Sequence, residues 1–240
     1  IPTVHTLHLP PIVPWINDWL SLGCFGKLQR LVVCSKRSQQ LYREATGRQF
    51  PLIYYGIDVE EVPYGEEAED FVLFAGRLSP EKGFEAAYAS VVQQLEKRLI
   101  VVGRVYNEDF FERTVKPKLE HPLVDYRGAL PRAELLTLMS KAEAFVFPIQ
   151  WDEPFGLVVV EAMAAGTPVV SFNRGASAEL IRNGETGFVV ATLAEMSSAV
   201  TTARTLKRSA CRVHVSENYS LEAMNRSYVA LYSELTASSR

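Results

Sequence analysis

The 240 residues are 48% hydrophobic and 22% charged with a formal net charge of −3, a make-up suited to one large domain or one and a half smaller ones. The scattered Lys and Arg form no basic stripe able to neutralise nucleic-acid phosphates, and no apolar run approaches the ~20 residues of a membrane-spanning helix. A small-molecule ligand is expected, with no nucleic acid and no transmembrane segment.

The chain opens IPTVHTLHLPP, without Met, basic leader or signal-like apolar segment. Pro2 to Leu9 alternates like a buried strand starting at the first residue, so the fold reads as beginning partway, with an N-terminal portion missing. His5 and His8 could each donate to a phosphate or sugar hydroxyl, or each be a packed polar side chain. Cys24, Cys34 and Cys211 are odd in number and lack C-x-x-C spacing. They read as reduced thiols in a cytoplasmic protein rather than a disulfide framework or zinc site.

LVVCSKRSQQLYREA (31–45) reads as a strand and a helix, and YYGIDVEEVP (54–63) as a connector in which Asp58 is a turn former or a ligand contact. Beyond it VLFAG (72–76), LIVVG (99–103), VDYRG (124–128), AFVFP (144–148), PVVSF (168–172) and GFVV (187–190) are short apolar runs bounded by Gly, Pro or polar residues. They alternate with amphipathic stretches such as FEAAYASVVQQLEK (84–97) and RAELLTLMSKAEA (132–144). Strands apolar on both faces with helices between them predict an α/β domain, a doubly wound, Rossmann-like parallel sheet. SLEAMNRSYVALYSEL (220–235) reads as a final amphipathic helix.

Ligands of such sheets lie beyond the carboxyl ends of the strands, so the loops there carry the candidates. In AGRLSPEKGF (75–84), Gly76 leaves a strand, Arg77 and Lys82 bracket a Ser-Pro turn, and Gly83 precedes a helix. Two cations beside a helix start suit a diphosphate, although a solvated, capped turn has the same pattern. In WDEPFGLVVVEAMAAGTPVV (151–170), Pro154 fits a helix start, and the N–H groups of Phe155, Gly156 and Leu157 are expected to face the crevice. Glu153 would precede that helix and Glu161 lie about two turns in, one carboxylate toward each end of an elongated ligand such as a nucleotide sugar. The alternative is a dipole-favouring Glu153 and a solvated Glu161. The apolar neighbours of Glu161 favour a hydroxyl-bearing ligand, because an isolated buried carboxylate is costly.

E-P-F-G-L-x-x-x-E followed by A-M-A-A-G-T-P-V-V, with G-R-L-S-P-E-K-G and Y-G-I-D, resembles family 4 of the retaining glycosyltransferases, whose fold is GT-B. The resemblance runs from TVHTLH to the last helix. It implies residues 1–55 as a remnant of an acceptor-side domain and hinge, 56–215 as the nucleotide-sugar-binding domain, and 216–240 as a helix crossing back. Roughly a hundred residues of the family's N-terminal domain would be missing, by ordinary domain size. It further implies Arg77 and Lys82 on the donor diphosphate, Glu161 on the ribose hydroxyls, Glu153 facing the donor sugar and His8 beside it. Gly76, Phe155, Gly156 and Leu157 would complete the donor site, with Tyr126 to Leu130 as the base-recognition loop. The implied function is transfer of a sugar, with retention, from a UDP- or GDP-sugar to an unknown acceptor, with no cofactor and no metal. A non-catalytic nucleotide-sugar-binding module, or half of a split enzyme, is the alternative. The incomplete N-terminal portion implies self-association or a partner chain. One departure from the family pattern is VVGRVYNEDFF (101–111), where many relatives have a glycine-richer turn.

Overall fold

A computed structural model describes residues 3–23 and 29–237, so Cys24 lies outside the described residues. Strand β1 (Thr3–Leu7) pairs in parallel with β2 (Gln29–Val33), with helix α1 (Pro14–Leu22) between them and α2 (Lys36–Thr46) following. Contrary to the expectation of a buried strand, β1 is half-exposed along its length, because β2 is its one strand partner among the described residues. Helix α2 starts where its Ser35 hydroxyl accepts from the Ser38 N–H, and it ends on Gly47 at φ 70°.

The larger unit is a six-stranded parallel sheet in the order β5-β4-β3-β6-β7-β8. Its strands are β3 (Val72–Ala75), β4 (Leu99–Val102), β5 (Val124–Tyr126), β6 (Ala144–Phe147), β7 (Val169–Phe172) and β8 (Gly187–Val190). They coincide with the six apolar runs, and the alternation within each run explains why. Val72, Phe74, Leu99, Val101, Ala144 and Val146 enter the core on one face, while Leu73, Ala75, Ile100, Val102, Phe145 and Phe147 enter it on the other. A strand covered on both sides has no polar position to offer.

The first face is covered by α3 (Phe84–Tyr88), which runs on through a π-helical turn at Ala89–Gln94. After α4 (Glu108–Phe110) comes a second π-helical turn, Phe111–Val115, leading into α5 (Lys116–Leu119). The other face is covered by α6 (Arg132–Lys141), α7 (Leu157–Ala164), α8 (Ser177–Leu180) and, beyond α9 (Leu193–Ala203), α10 (Arg208–Asn218). Helix α9 packs on the α3 side through Met196, Val200 and Ala203. Its start is a capping box, with Thr192 and Glu195 bonding each other's backbone.

The last helix, α11 (Leu221–Ala237), returns to the small sheet, where Leu231 and Leu235 pack with Val32 and Ile53. Other ties join the two sheets. The Glu179 carboxylate accepts from the Lys36 and Arg37 N–H groups at 2.8 and 3.1 Å, so α8 satisfies the open N-terminus of α2. Arg37 forks onto Asp152 at 2.9 and 3.0 Å. Ile57 bonds Tyr219 and Leu221 through its N–H and carbonyl, stitching the connector to the start of α11.

Candidate functional site

Strand order turns around between β3 and β6, since β4 lies to one side of this pair and β7 to the other. The crevice beyond their carboxyl ends is therefore where a ligand fits. Gly76 and Gly103, which follow β3 and β4, lie so close that a Cβ on Gly103 would sit 1.8 Å from the Gly76 carbonyl oxygen. Only glycine allows that approach. Two cavities open there. One, of about 380 Å³, is walled by His8, Arg77, Lys82, Glu153, Phe155, Gly156 and Leu157. The other, of about 400 Å³, is walled by Gly76, Gly103, Leu130 and Glu161. Both touch Lys82, Phe147, Leu157 and Val158, so they adjoin across the start of α7.

Lys82 ends a short 3-10 helix, Pro80–Lys82, and Gly83 follows at φ 75° with no room for a Cβ against the Pro148 carbonyl. Its ammonium lies 2.5 Å from Glu153 Oε2, which also accepts from Trp151 Nε1 at 2.8 Å. Arg77 is steered differently. Its guanidinium sits 4.4 Å above the Tyr106 ring and 3.3 Å from Glu81 Oε1. Tyr106 belongs to the stretch that departs from the family pattern. Ser79 is no cap here, since its hydroxyl donates to Glu81 at 2.6 Å. Burial opposes ionisation of Glu81, but the Ser79 hydroxyl, with Arg77 and Lys82 nearby, holds its carboxyl below the usual range.

Helix α7 begins at Leu157 and not at Pro154. Gly156, at φ 101°, is its left-handed N-cap, and the Pro154 carbonyl is held by Ser38 Oγ and Cys34 Sγ at 3.4 and 3.6 Å. Leu157 and Val158, whose N–H groups come too early in the helix for a carbonyl four residues back within it, border both cavities, whereas the N–H groups of Val159 and Val160 reach back to the Gly156 carbonyl. Glu161 is consequently about one turn into the helix, not two. It is also not isolated, because Arg132 Nε lies 3.1 Å from its Oε1. Burial nevertheless outweighs Arg132 and raises the Glu161 pKa.

His8 is exposed at the cavity rim, with Nδ1 2.5 Å from the Tyr55 hydroxyl and its ring stacked on Tyr55. His5 is exposed and lines neither cavity. Asp58 is a turn former, accepting the Glu60 N–H at 3.1 Å. Tyr126 lines neither cavity; its hydroxyl donates to the Gly103 carbonyl at 2.9 Å, behind the wall that Leu130 completes. Trp151, Tyr55, Tyr106 and Arg132 were not legible as site residues from the sequence, because each acts through a fold contact. Trp151, adjoining Glu153, carried the nearest thing to a signal. Among the described residues no group of three His, Cys, Asp or Glu is placed to hold a metal ion, and no helix is long and apolar enough to cross a membrane.

The chain belongs to the family described as Glycosyl transferases group 1, which matches residues 60–219; it is a family 4 glycosyltransferase chain with the GT-B fold. Among curated proteins it is similar to the putative glycosyltransferase YtcC of Bacillus subtilis, with 31% identity over 58% of this chain and 41% of that protein. A glycogen synthase of Mycobacterium tuberculosis is 32% identical over 78% of this chain and 50% of its own length. The chain thus spans half or less of these two relatives. Among solved structures, Anabaena HepE in complex with UDP-glucose superposes with a TM-score of 0.81 at 20% identity, covering 97% of this chain and 72% of that one. Sucrose-phosphate synthase of Thermosynechococcus elongatus does so with a TM-score of 0.82 at 23% identity, covering 98% and 68%.

Proposed function

We propose that the paired cavities bind a nucleotide sugar and that the complete protein transfers its sugar, with retention, to an acceptor. The observation that carries this reading is the partition of charge along one continuous crevice: Glu161 on one cavity, Glu153 and His8 on the other, and Lys82 on both. Nucleoside, diphosphate and sugar follow one another in the donor, and the crevice offers a carboxylate for hydroxyls, then cations, then a carboxylate again. Gly76 and Gly103 let the backbone come close to the nucleoside, while Leu130 supplies an apolar wall for the base. Arg77, Lys82 and the N–H groups at the start of α7 would oppose the charge that develops on the departing diphosphate. His8 and Glu153 would orient the sugar, and the leaving phosphate would take the acceptor's proton on the same face. Binding of UDP-glucose by HepE makes a UDP-sugar the first donor to try.

Because the chain spans part of its relatives, a nucleotide-sugar-binding half that works with a partner is the second reading. The presence of His8 beside the sugar end of the crevice favours the transferase. Titration calorimetry with UDP, GDP and their sugars tests the proposal; absence of binding by all of them would overturn it.

A further inference from the structure

A third cavity is larger than either of these two. It measures about 650 Å³ and lies beyond the carboxyl ends of β7 and β8, walled by Phe172, Val190, Asn173, Arg174, Gln150 and Asp152, with Arg37 reaching in from α2. It shares a wall with the sugar end of the donor crevice. Along residues 150–153, Gln150 and Asp152 line the large cavity while Trp151 and Glu153 line the crevice. Alternate side chains of one short segment thus serve two different spaces.

Which groups of the large cavity are left over for a ligand can be counted. Both Asp152 oxygens are taken by the fork of Arg37. The Gln150 amide nitrogen donates to the Pro148 carbonyl at 2.8 Å, leaving its oxygen. Arg174 makes no ion pair among the described residues; its guanidinium has a single long bond, 3.4 Å, to the Gln150 carbonyl. The Asn173 side chain is exposed on the same turn. The turn itself is fixed, because Gly175 at φ 57° packs against the Glu153 backbone and the Ala176 N–H donates to the Glu153 carbonyl at 3.0 Å. What remains is a surplus of donors and a net positive charge, Arg37 and Arg174 against the one carboxylate of Asp152, beside the apolar surfaces of Phe172 and Val190. Guanidinium forks pair with phosphate or carboxylate oxygens, and the volume leaves space for a sugar attached to that group.

We propose that this cavity is a second ligand site, for an acidic sugar whose phosphate or carboxylate is held by Arg174 and Asn173. Its place across the 150–153 wall from the donor's sugar suits the acidic end of an acceptor, an assignment that rests on the donor reading above; the binding itself does not.

The test titrates glucose 6-phosphate and glucuronate, with neutral glucose as control, into the intact chain and into Arg174→Ala, Arg174→Lys, Asn173→Ala and Lys82→Ala, with UDP titrated in parallel. At least one acid should bind with a Kd of about 1 mM or tighter, and glucose at least about tenfold more weakly. Arg174→Ala should weaken the acid by about tenfold or more without changing UDP, and Arg174→Lys should recover part of that loss. Asn173→Ala should weaken it less, which keeps the test open if Arg174→Ala fails to fold. Lys82→Ala should show the converse, with UDP weakened and the acid unchanged. Which acid binds decides between phosphate and carboxylate. No binding of either acid, equal affinity in the Arg174 and Asn173 variants, or loss of the acid in Lys82→Ala would overturn the site. Failure of UDP, GDP and their sugars to bind while an acid still binds through Arg174 would overturn the donor reading and leave this one standing.

Discussion

The Lys82 ammonium lies 2.5 Å from the Glu153 carboxylate, with the two side chains only 15% and 16% exposed. The cation suited to the diphosphate and the carboxylate suited to the sugar therefore meet at one point, which is where the bond between sugar and diphosphate would lie in a bound donor.

This pairing sets the first prediction. Lys82→Ala and Arg77→Ala should each weaken nucleoside-diphosphate binding by roughly ten- to hundredfold, the loss of a charge-assisted contact of about 1.5–3 kcal/mol. Glu153→Ala should instead leave nucleoside-diphosphate affinity unchanged or slightly improved, since it releases Lys82, while removing the extra affinity contributed by the sugar. Calorimetry on the three variants checks this. An equal loss of free diphosphate in Glu153→Ala would show that the carboxylate does not face the sugar.

Glu161 should separate binding from stability. Its pKa is raised by burial, more than Arg132 offsets. A carboxyl with a raised folded-state pKa gives its full stability while protonated, below its ordinary value, and loses it as pH rises through the folded-state pKa. Glu161→Gln should accordingly be at least as stable as the parent at neutral pH, with the difference vanishing in acid, yet bind nucleotide and nucleotide sugar more weakly by a similar factor. Denaturant melts across pH, paired with titrations, test both halves. A variant that is less stable at neutral pH and binds normally would make Glu161 a structural partner of Arg132.

The final helix is held by its apolar face. Leu235 is 1% exposed against Val32 and Ile53, so Leu235→Ala should cost about 2–5 kcal/mol in chemical denaturation. A loss below about 1 kcal/mol would mean that the helix does not hold the small sheet in solution.

Around the small sheet, Leu9, Ile12, Trp15 and Leu22 are 58%, 64%, 70% and 71% exposed. Surface of this kind tends to be covered by another chain or by more of the same one. The chain by itself should sediment with an apparent mass that rises with concentration, and Trp15→Ser with Ile12→Ser should reduce that rise. A monomer at all concentrations would refute it.

What could be read from the sequence is what local chemistry decides. The six strands of the large sheet stood out because strands covered on both faces are runs of Val, Leu, Ile and Phe, which no loop sustains in water. Arg77, Lys82, Glu153, Glu161 and the intervening glycines stood out as polar or flexible residues at the ends of such runs. The π-helical turn at Ala89–Gln94 was not legible, since its residues have the periodicity of an ordinary helix. Nor was the start of α7, where an αL glycine and the Pro154 carbonyl's contacts with α2 override the usual preference of proline for the first helical turn. The pairings were out of reach for a simpler reason. Lys82 and Glu153 are 71 residues apart, Arg132 and Glu161 are 29, and Arg37 and Asp152 are 115. Charge and hydrophobicity mark a residue as needing a partner, but which partner it finds is decided by strand order and helix packing, and so only the tertiary structure settles whether a carboxylate is free for a ligand or already held.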